Sequence, residues 1–300
     1  MTFINNNDQV SEREIPHKKY MKKLRTAFRG VPLGALIILG MVIFLGFFGD
    51  IVAPCNPRAV NITARLASPW SHSTSGLHVL GTDQLGRDIL SRILVGARVS
   101  LIVGLSAVFM AGTIGATLGI LAGYFGGWVD GLIMRLTDMM FAIPVLVLAL
   151  VLSAVIGPGF KNIVVILGMV GWTGYARLIR GEVLKIKDGQ FVRYARVAGT
   201  PTALILARHI FPNVVNPLIV MATLQLGIMI IAEASLTFLG LGVQPPTPAW
   251  GSMVAGGRMF LSTAWWIAAF PGLAILLTVM SVNILGDWLR VRLDPKFRQI

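Results

Sequence analysis

The amino-acid sequence predicts an all-α membrane protein with about six transmembrane helices. Of its 300 residues, 55% are hydrophobic and only 13% are charged, whereas a soluble domain has roughly 25% charged residues. A water-soluble fold of this size would have too little polar surface to cover itself, so the apolar excess must face lipid. The net charge of +13 lies in segments between long apolar runs, which is typical of contact with anionic headgroups. We therefore expect membrane lipid as a partner and no nucleic acid.

Six apolar segments have the length or the composition of a membrane span. A transmembrane helix needs roughly 20 mostly apolar residues. The first predicted span is 31–53, which follows a basic cytoplasmic tail at 1–30 and ends before Pro54. The other predicted spans are about 99–124, 137–156, 163–176, 214–235 and 264–285. The fourth is short, and we expect Arg177 and Arg180 at its end to snorkel to the interface.

The basic residues orient these spans. With a cytoplasmic N-terminus, 19 of the 26 Lys and Arg residues lie on the inner side, as the positive-inside rule requires. Both termini are then inside, and residues 287–300 form a cytoplasmic C-terminal tail. Arg87, Arg92 and Arg98 are exceptions, because they fall in the predicted external loop 54–98. We expect an amphipathic helix at the outer interface to accommodate them.

Residues 99–286 form a predicted core of five helices. In its first helix, Gly115, Gly119 and Gly123 recur at four-residue spacing, so they share one helix face and allow a second helix to approach closely. Pro144 lies inside the third span, where it frees a backbone carbonyl and favours a kink.

Three residues of the core are candidates for the translocation path. Asp138 and Glu233 are ionisable groups within the third and fifth spans, and such groups usually face an interior or a cavity. The kink expected at Pro144 could also line a pathway. The alternatives are hydrogen bonding within the bundle for the two carboxylates and ordinary kinked packing for the proline.

The cytoplasmic segment 181–212 is too long for a plain connector between two spans. Part of it has helical spacing of apolar residues, i, i+3, i+4 and i+7; these are Phe191, Tyr194, Ala195 and Ala198. Arg193 and Arg196 project from other faces of this predicted helix, and Gly199 suits its end.

A second short helix is predicted from Pro201 to His209. Thr200 followed by Pro201 has the pattern of an N-cap and a first helical residue. Two short helices joined by a sharp turn form a projection, which suits insertion into a groove of a soluble partner. Packing of the hairpin against headgroups is the alternative.

The same segment resembles the EAA loop of ABC importer permeases. The stretch RYARVAG, which begins at Arg193, matches that pattern at Ala195 and Gly199, and Pro212 matches the closing proline. The chain departs from the pattern at its Glu and first Ala positions, which are Arg193 and Tyr194.

Further stretches resemble the oligopeptide, dipeptide and nickel importers. They include LGTDQLGRD at 80–88, AGYFGG at 122–127, FLGLG at 238–242, QPPTPAWG at 244–251 and LDPK at 293–296. The resemblance extends from about residue 30 to the end of the chain. It is to the C-type permease subunit of this family of binding-protein-dependent ABC importers.

The resemblance implies a type I ABC importer permease fold in a bacterial plasma (inner) membrane. In such systems a second, different permease completes the pathway, two cytoplasmic ATPase subunits grip the coupling loops, and an external binding protein delivers the substrate. Di- or oligopeptides are the implied substrates, and nickel or glutathione are alternatives. The implied coupling-loop residues are Phe191, Arg193, Tyr194, Ala195, Arg196, Gly199, Thr200, Pro201 and Pro212.

The residues themselves point to a non-catalytic subunit. The sequence has no G-x-x-x-x-G-K-[ST] phosphate loop, and its one cysteine, Cys55, and four scattered histidines form no metal-binding motif. We therefore expect no cofactor or metal on this chain, with ATP and Mg²⁺ bound by the partner ATPase subunits. An ion-driven transporter or channel is an alternative of a different class, which would be expected to carry more intramembrane carboxylates or histidines.

Overall fold

Five helices are long and apolar enough to cross a membrane, and a bent pair of shorter helices supplies a sixth span if the pair is counted as one. The structure, a computed structural model, describes residues 32–73 and 76–293. The predicted tail at 1–30 and the second half of the predicted tail at 287–300 lie outside these residues. Within them, the prediction of an all-α architecture with about six spans is confirmed.

The helices follow one another along the chain with few other elements. In order they are α1 (Leu33–Val52), α2 (Ile89–Phe125), α3 (Gly127–Phe141), α4 (Val145–Ile156), α5 (Phe160–Ile186), α6 (Gln190–Val197), α7 (Thr202–Ile205), α8 (Phe211–Phe238), α9 (Trp250–Gly257) and α10 (Trp266–Leu293). Between α1 and α2 lie a 3₁₀ turn, Ile62–Ala64, and an antiparallel hairpin of β1 (Ser71–Ser73) and β2 (Gly76–His78). A second 3₁₀ turn, Arg258–Phe260, follows α9.

The prediction of a separate interfacial helix within 54–98 is wrong. Helix α2 begins at Ile89, ten residues before the predicted start of the second span, and continues through the membrane. Asp88 fixes this start as the N-cap, because its Oδ2 accepts a hydrogen bond of 2.8 Å from the Ser91 amide. The basic stretch 89–98 therefore forms the first turns of the spanning helix.

The three external arginines are neutralised by protein groups. Arg87 pairs with Asp83 at 2.7 Å, and the Arg92 guanidinium lies 3.7 Å from the same carboxylate. Arg98 reaches the end of α1, where it pairs with Asp50 at 2.7 Å and donates to the Gly46 and Phe47 carbonyls. Asp50 and these two carbonyls of α1 therefore compensate the charge of Arg98 within the protein, where the sequence suggested a lipid interface.

The third span is broken at Pro144. Helices α3 and α4 meet at 90° across three residues, so the prediction of one continuous helix over 137–156 is wrong. Proline cannot donate to a helical hydrogen bond, and its ring clashes with the carbonyl four residues earlier. The predicted kink is therefore a complete break, with Pro144 as the N-cap residue of α4.

The fourth span, α5, is 27 residues long and not short as predicted from 163–176. Its arginines do not end it, because Arg177 and Arg180 form ion pairs with Asp138 and Asp130 of α3. These pairs compensate the charges where they lie, so the helix continues to Ile186.

Close packing of α2 on α5 forms the centre of the bundle, as the glycine spacing predicted. A Cβ atom at Gly119 would lie 2.6 Å from the Ala176 carbonyl oxygen, and one at Gly123 would lie 2.7 Å from the Cβ of Val183. The two backbones are therefore in contact through these glycines. Fully buried side chains such as Ile163 and Leu236 surround the seam between α2, α5 and α8.

Candidate coupling loop and translocation path

The coupling loop is a folded projection with its own anchor. Val192 on α6 is fully buried, and it packs in a cluster with Val183 of α5, Ile205 of α7, Ile210 and Val214. One apolar side chain of α6 thus attaches the short helix to the ends of two spanning helices. Its remaining surface is free to face the cytoplasm.

The outer face of α6 exposes large side chains. Tyr194 is 71% and Val197 88% exposed, and Phe191 is 43% exposed. In a solvated helix such a row of apolar groups is unfavourable unless a partner covers it. Arg196 points elsewhere, since its guanidinium lies 5.1 Å from the Tyr124 ring centroid at the end of α2.

The turn after α6 depends on Gly199. Its φ of 72° is in the left-handed region, which glycine adopts without steric cost. The Thr200 amide donates to the Ala195 carbonyl at 3.0 Å and closes the helix end. The predicted capping role of Thr200 is wrong: α7 begins at Thr202, its N-cap residue is Pro201, and no side chain caps it.

The predicted separate helix 201–209 is also wrong. Helix α7 continues through a π-helical turn, Leu206–Ile210, directly into α8, and the whole segment from Thr202 to Phe238 counts as one span. Pro212 therefore does not close the loop but lies in the first turn of α8. A proline ring obstructs the carbonyl four residues earlier, and the wider π turn directly before it accommodates that ring.

The three path candidates lie in different surroundings. Asp138 is exposed and pairs with Arg177 at 2.6 Å, and Pro144 is exposed at the break in the span. Glu233 is fully buried between α2 and α8, where it accepts hydrogen bonds from Ser100 Oγ (3.0 Å) and Thr237 Oγ1 (2.9 Å). Glu233 therefore fits the alternative interpretation, in which its carboxylate is hydrogen-bonded within the helix bundle.

Two functional features escaped the sequence reasoning. The first is the ion pair of Asp130 with Arg180, whose guanidinium donates two hydrogen bonds to the carboxylate. With Asp138 and Arg177 it forms a double attachment of α3 to α5. The sequence does contain a signal for this attachment: two acidic residues are eight positions apart on α3, and two basic residues are three positions apart on α5.

The second is an external cluster of Cys55, His78 and Asp88, whose potential ligand atoms all lie within 4.8 Å of one another. His78 Nδ1 is 2.9 Å from Asp88 Oδ1, and its Nε2 is 2.8 Å from Ser73 Oγ. Asp88 Oδ2 accepts from Ser91. Every ligand atom of His78 and Asp88 is thus engaged within the protein, so this cluster acts as a fastening of the hairpin to α2.

Comparisons with known proteins agree on one family. Residues 115–299 match the model described as "Binding-protein-dependent transport system inner membrane component". The chain is 47% identical over 272 residues to the dipeptide transport system permease protein DppC of Escherichia coli strain K12, covering 90% of each chain. It is 43% identical to the di/tripeptide transport system permease protein DppC of Pseudomonas aeruginosa strain UCBPP-PA14, covering 89% of this chain and 88% of the relative.

A further relative and a solved structure extend these matches. The glutathione transport system permease protein GsiD of Escherichia coli O6:K15:H31 is 41% identical over 291 residues, covering 97% of this chain and 93% of the relative. A chain of the MetNI methionine ABC transporter in an inward-facing conformation matches with a TM-score of 0.55 at 16% identity, covering 68% of this chain and 96% of that one. The latter similarity is one of fold.

Proposed function

The chain belongs to the family of binding-protein-dependent transport system inner membrane components, and we propose that it carries di- or oligopeptides. It is a permease subunit of an ABC importer and a multi-pass protein of the bacterial inner membrane. The subunit is not catalytic, because in this family separate ATPase subunits hydrolyse ATP. The family also implies a complex with those ATPases and with a binding protein.

The substrate proposal is supported by the two relatives named for dipeptide or di/tripeptide transport. Glutathione, itself a modified tripeptide, is the second candidate, since the relative named for it covers 97% of this chain. Uptake of a labelled dipeptide by the reconstituted complex tests the proposal, with unlabelled dipeptide, glutathione and Ni²⁺ as competitors. Peptide import predicts competition by dipeptide alone. Uptake of labelled glutathione or Ni²⁺ without any uptake of labelled dipeptide would contradict it.

The complete importer on this proposal has this chain, a second permease subunit, two cytoplasmic ATPase subunits that bind ATP and Mg²⁺, and an external binding protein. The bent span α3–α4 supports a pathway between two permeases. Within this fully described pair, only Ile133, Thr137, Ala149 and Ser153 are buried, so most of its surface is available to a second subunit and to the substrate. Asp138 and Pro144 lie on this exposed span, whereas Glu233 would meet the pathway only after α2 and α8 separate.

One observation carries the coupling assignment: the exposed row Phe191, Tyr194 and Val197 on a helix that Val192 fixes to the ends of the spans. A partner that binds this face would also move the ends of the spanning helices. We therefore assign the coupling loop, with Arg193, Ala195, Arg196, Gly199, Thr200 and Pro201, together with the adjoining Pro212 in the first turn of α8, to docking of an ATPase subunit. Small residues and a sharp turn suit a groove.

The test removes the docking face without removing the fold. In Tyr194→Ala/Val197→Ser the anchor Val192 remains, and we expect the permease to insert normally but to co-purify poorly with its ATPase subunits. Gly199→Val forces a β-branched residue into the left-handed region and should uncouple uptake from ATP hydrolysis. The matched control is Phe47→Ala, which removes a similarly exposed aromatic side chain from α1. Retention of ATPase recruitment and uptake after deletion of 191–201 would overturn the assignment.

A further inference from the structure

The external connection between α1 and α2 is a rigid cap. This external cap comprises residues 54–73 and 76–88. Ser73, His78 and Asp88 form a hydrogen-bonded chain with distances of 2.8 and 2.9 Å, which fixes the hairpin to the N-cap of α2. Trp266 Nε1 donates to the Thr82 carbonyl at 3.3 Å and ties the cap to α10. At the other end of the cap the Cys55 amide donates to Ser91 Oγ of α2 at 3.0 Å, so the cap is attached to the spans at both ends.

The cap holds an exposed tryptophan in a strained conformation. Trp70 has a φ of 65°, and a non-glycine residue in this left-handed region costs on the order of 1–3 kcal/mol. Its amide donates to the His78 carbonyl at 2.9 Å, so the surrounding backbone enforces the geometry. The side chain gains little in return from the part of the chain that the structure describes, because the residue is 70% exposed. Such strain is typical of a side chain held in position for a partner.

Among the described residues, the exposed charges around the cap that lack an ion pair are all positive. On the predicted outer side, Arg58, Arg65, Lys161 and Arg258 are exposed and have no ion pair among the described residues. The carboxylates on that side are already engaged. Their partners are Arg98 for Asp50, Arg87 for Asp83, and His78 and Ser91 for Asp88.

The elements that carry these four cations adjoin one another. Gln84 and Arg87 of the cap line a small cavity together with Met253 and Gly256 of α9, and Arg258 directly follows that helix. The Arg258 guanidinium lies 5.7 Å from the ring of Phe238. The turn after Phe238 contacts the loop that precedes Lys161, because the Gly159 amide donates to the Gly242 carbonyl at 3.1 Å.

We propose that this surface, with Trp70 at its rigid part, docks an acidic face of the external binding protein. The inference rests on the proposed function, which supplies that partner. Tryptophan, methionine and arginine are enriched in protein interfaces, and carboxylates are depleted; Met259, 77% exposed, and Ile62, 76% exposed, add the apolar part. Complementary charge would speed the encounter and fix its orientation.

A protein partner explains the strain at Trp70, which a lipid partner does not. Tryptophans that anchor a protein at the membrane interface act in a fluid layer that accepts many orientations. A fixed, strained backbone gives no benefit there. In a docking site it removes the entropy cost of ordering the side chain on binding.

The test measures docking to the complete importer in nanodiscs of zwitterionic lipid. The purified binding protein of the same transport system is titrated against wild type, Trp70→Gly and Arg58→Glu/Arg65→Glu. Trp70→Gly removes the indole while giving the backbone a residue that accepts its φ, so it should fold at least as well. We expect about tenfold weaker binding from it. The double reversal should weaken binding and reduce its dependence on salt.

Matched controls lie on the predicted inner side. Trp128→Ala and Arg290→Glu change an exposed tryptophan and an exposed arginine and should leave the affinity unchanged. Tight binding in wild type that neither variant of the cap weakens would overturn the inference alone. A wild-type complex that never binds the protein would overturn the proposed partner as well. Loss of brominated-lipid quenching of fluorescence in Trp70→Gly would show the indole in lipid and would also overturn the inference.

Discussion

Single glycines decide how closely the central helices approach. Gly119 and Gly123 bring α2 into backbone contact with α5, and no side chain fits there without displacing main-chain atoms. Protein interiors are densely packed and have low compressibility, so they do not make room for an added side chain without rearrangement. Side-chain atoms added at these two residues would therefore shift α5, and the coupling loop that follows it, away from α2.

Gly119→Leu should lower stability, because the added carbons would overlap the Ala176 carbonyl oxygen. Overpacking of this kind costs about 1–3 kcal/mol or more. Thermal unfolding of the purified permease, followed by tryptophan fluorescence, measures the change. Gly131→Leu is the control, since a Cβ there meets no atom within 4 Å. Equal unfolding temperatures for the two variants would contradict the packing argument.

The single cysteine should be a slow nucleophile. Burial, and secondarily the negative charge of Asp88, raises the pKa of the Cys55 thiol. A raised pKa leaves less thiolate at any given pH, and the thiolate is the reactive form. The pH at half-maximal maleimide alkylation should therefore be higher for the folded than for the unfolded protein. An equal or lower midpoint in the folded protein would refute this.

At the scale of elements, α3 is attached to α5 both by charge and by a small apolar cluster, in which Ile133 packs with Trp172 and Ala176. Only two of its residues are buried, whereas Asp130 and Asp138 pair with Arg180 and Arg177. The break at Pro144 releases α3 from any constraint that a continuous span would impose. The two ion pairs and the cluster around Ile133 therefore together hold the inner half of the third span on α5.

Asp130→Asn should destabilise the permease by about 1–3 kcal/mol, because it leaves the partly buried Arg180 without its charged partner. Glu182→Gln is the matched control: its pair with Lys185 is on the surface, where an ion pair contributes about 0–1 kcal/mol. Chemical denaturation in detergent compares the two variants. If the double variant Asp130→Arg/Arg180→Asp regains stability, the pairing itself is responsible. Equal losses for Asp130→Asn and Glu182→Gln would contradict this.

At the scale of the whole molecule, the charge distribution predicts the orientation in the membrane. On that orientation Cys55 follows α1 on the outer side, and Lys185 lies near the inner end of α5. A membrane-impermeant maleimide should label Cys55 in intact cells at elevated pH. It should label Cys55→Ser/Lys185→Cys only after the cells are permeabilised. The reverse pattern would show that the chain is inserted the other way round.

The sequence predicted the membrane class, the number of spans and the approximate bounds of the first, fifth and sixth of them. The length of an apolar segment and the distribution of Lys and Arg can be read directly from the sequence. They do not depend on how the helices pack against one another. Helix α6 and the turn at Gly199 could also be predicted from the sequence, because helical spacing and the preference of glycine for left-handed turns act within a few residues.

Tertiary contacts decided the rest. Arg98 pairs with Asp50 of α1, Arg177 and Arg180 pair with carboxylates of α3, and Glu233 accepts hydrogen bonds from Ser100 and Thr237. Each of these groups has a charge that is costly to bury without a partner, and at least one partner of each lies on another helix far away in the chain. A linear pattern reveals that such a group needs a partner but not which one is within reach. The number of spans is therefore a property of the sequence, whereas the break in the third span, the extent of the fourth and the external cap are products of the fold.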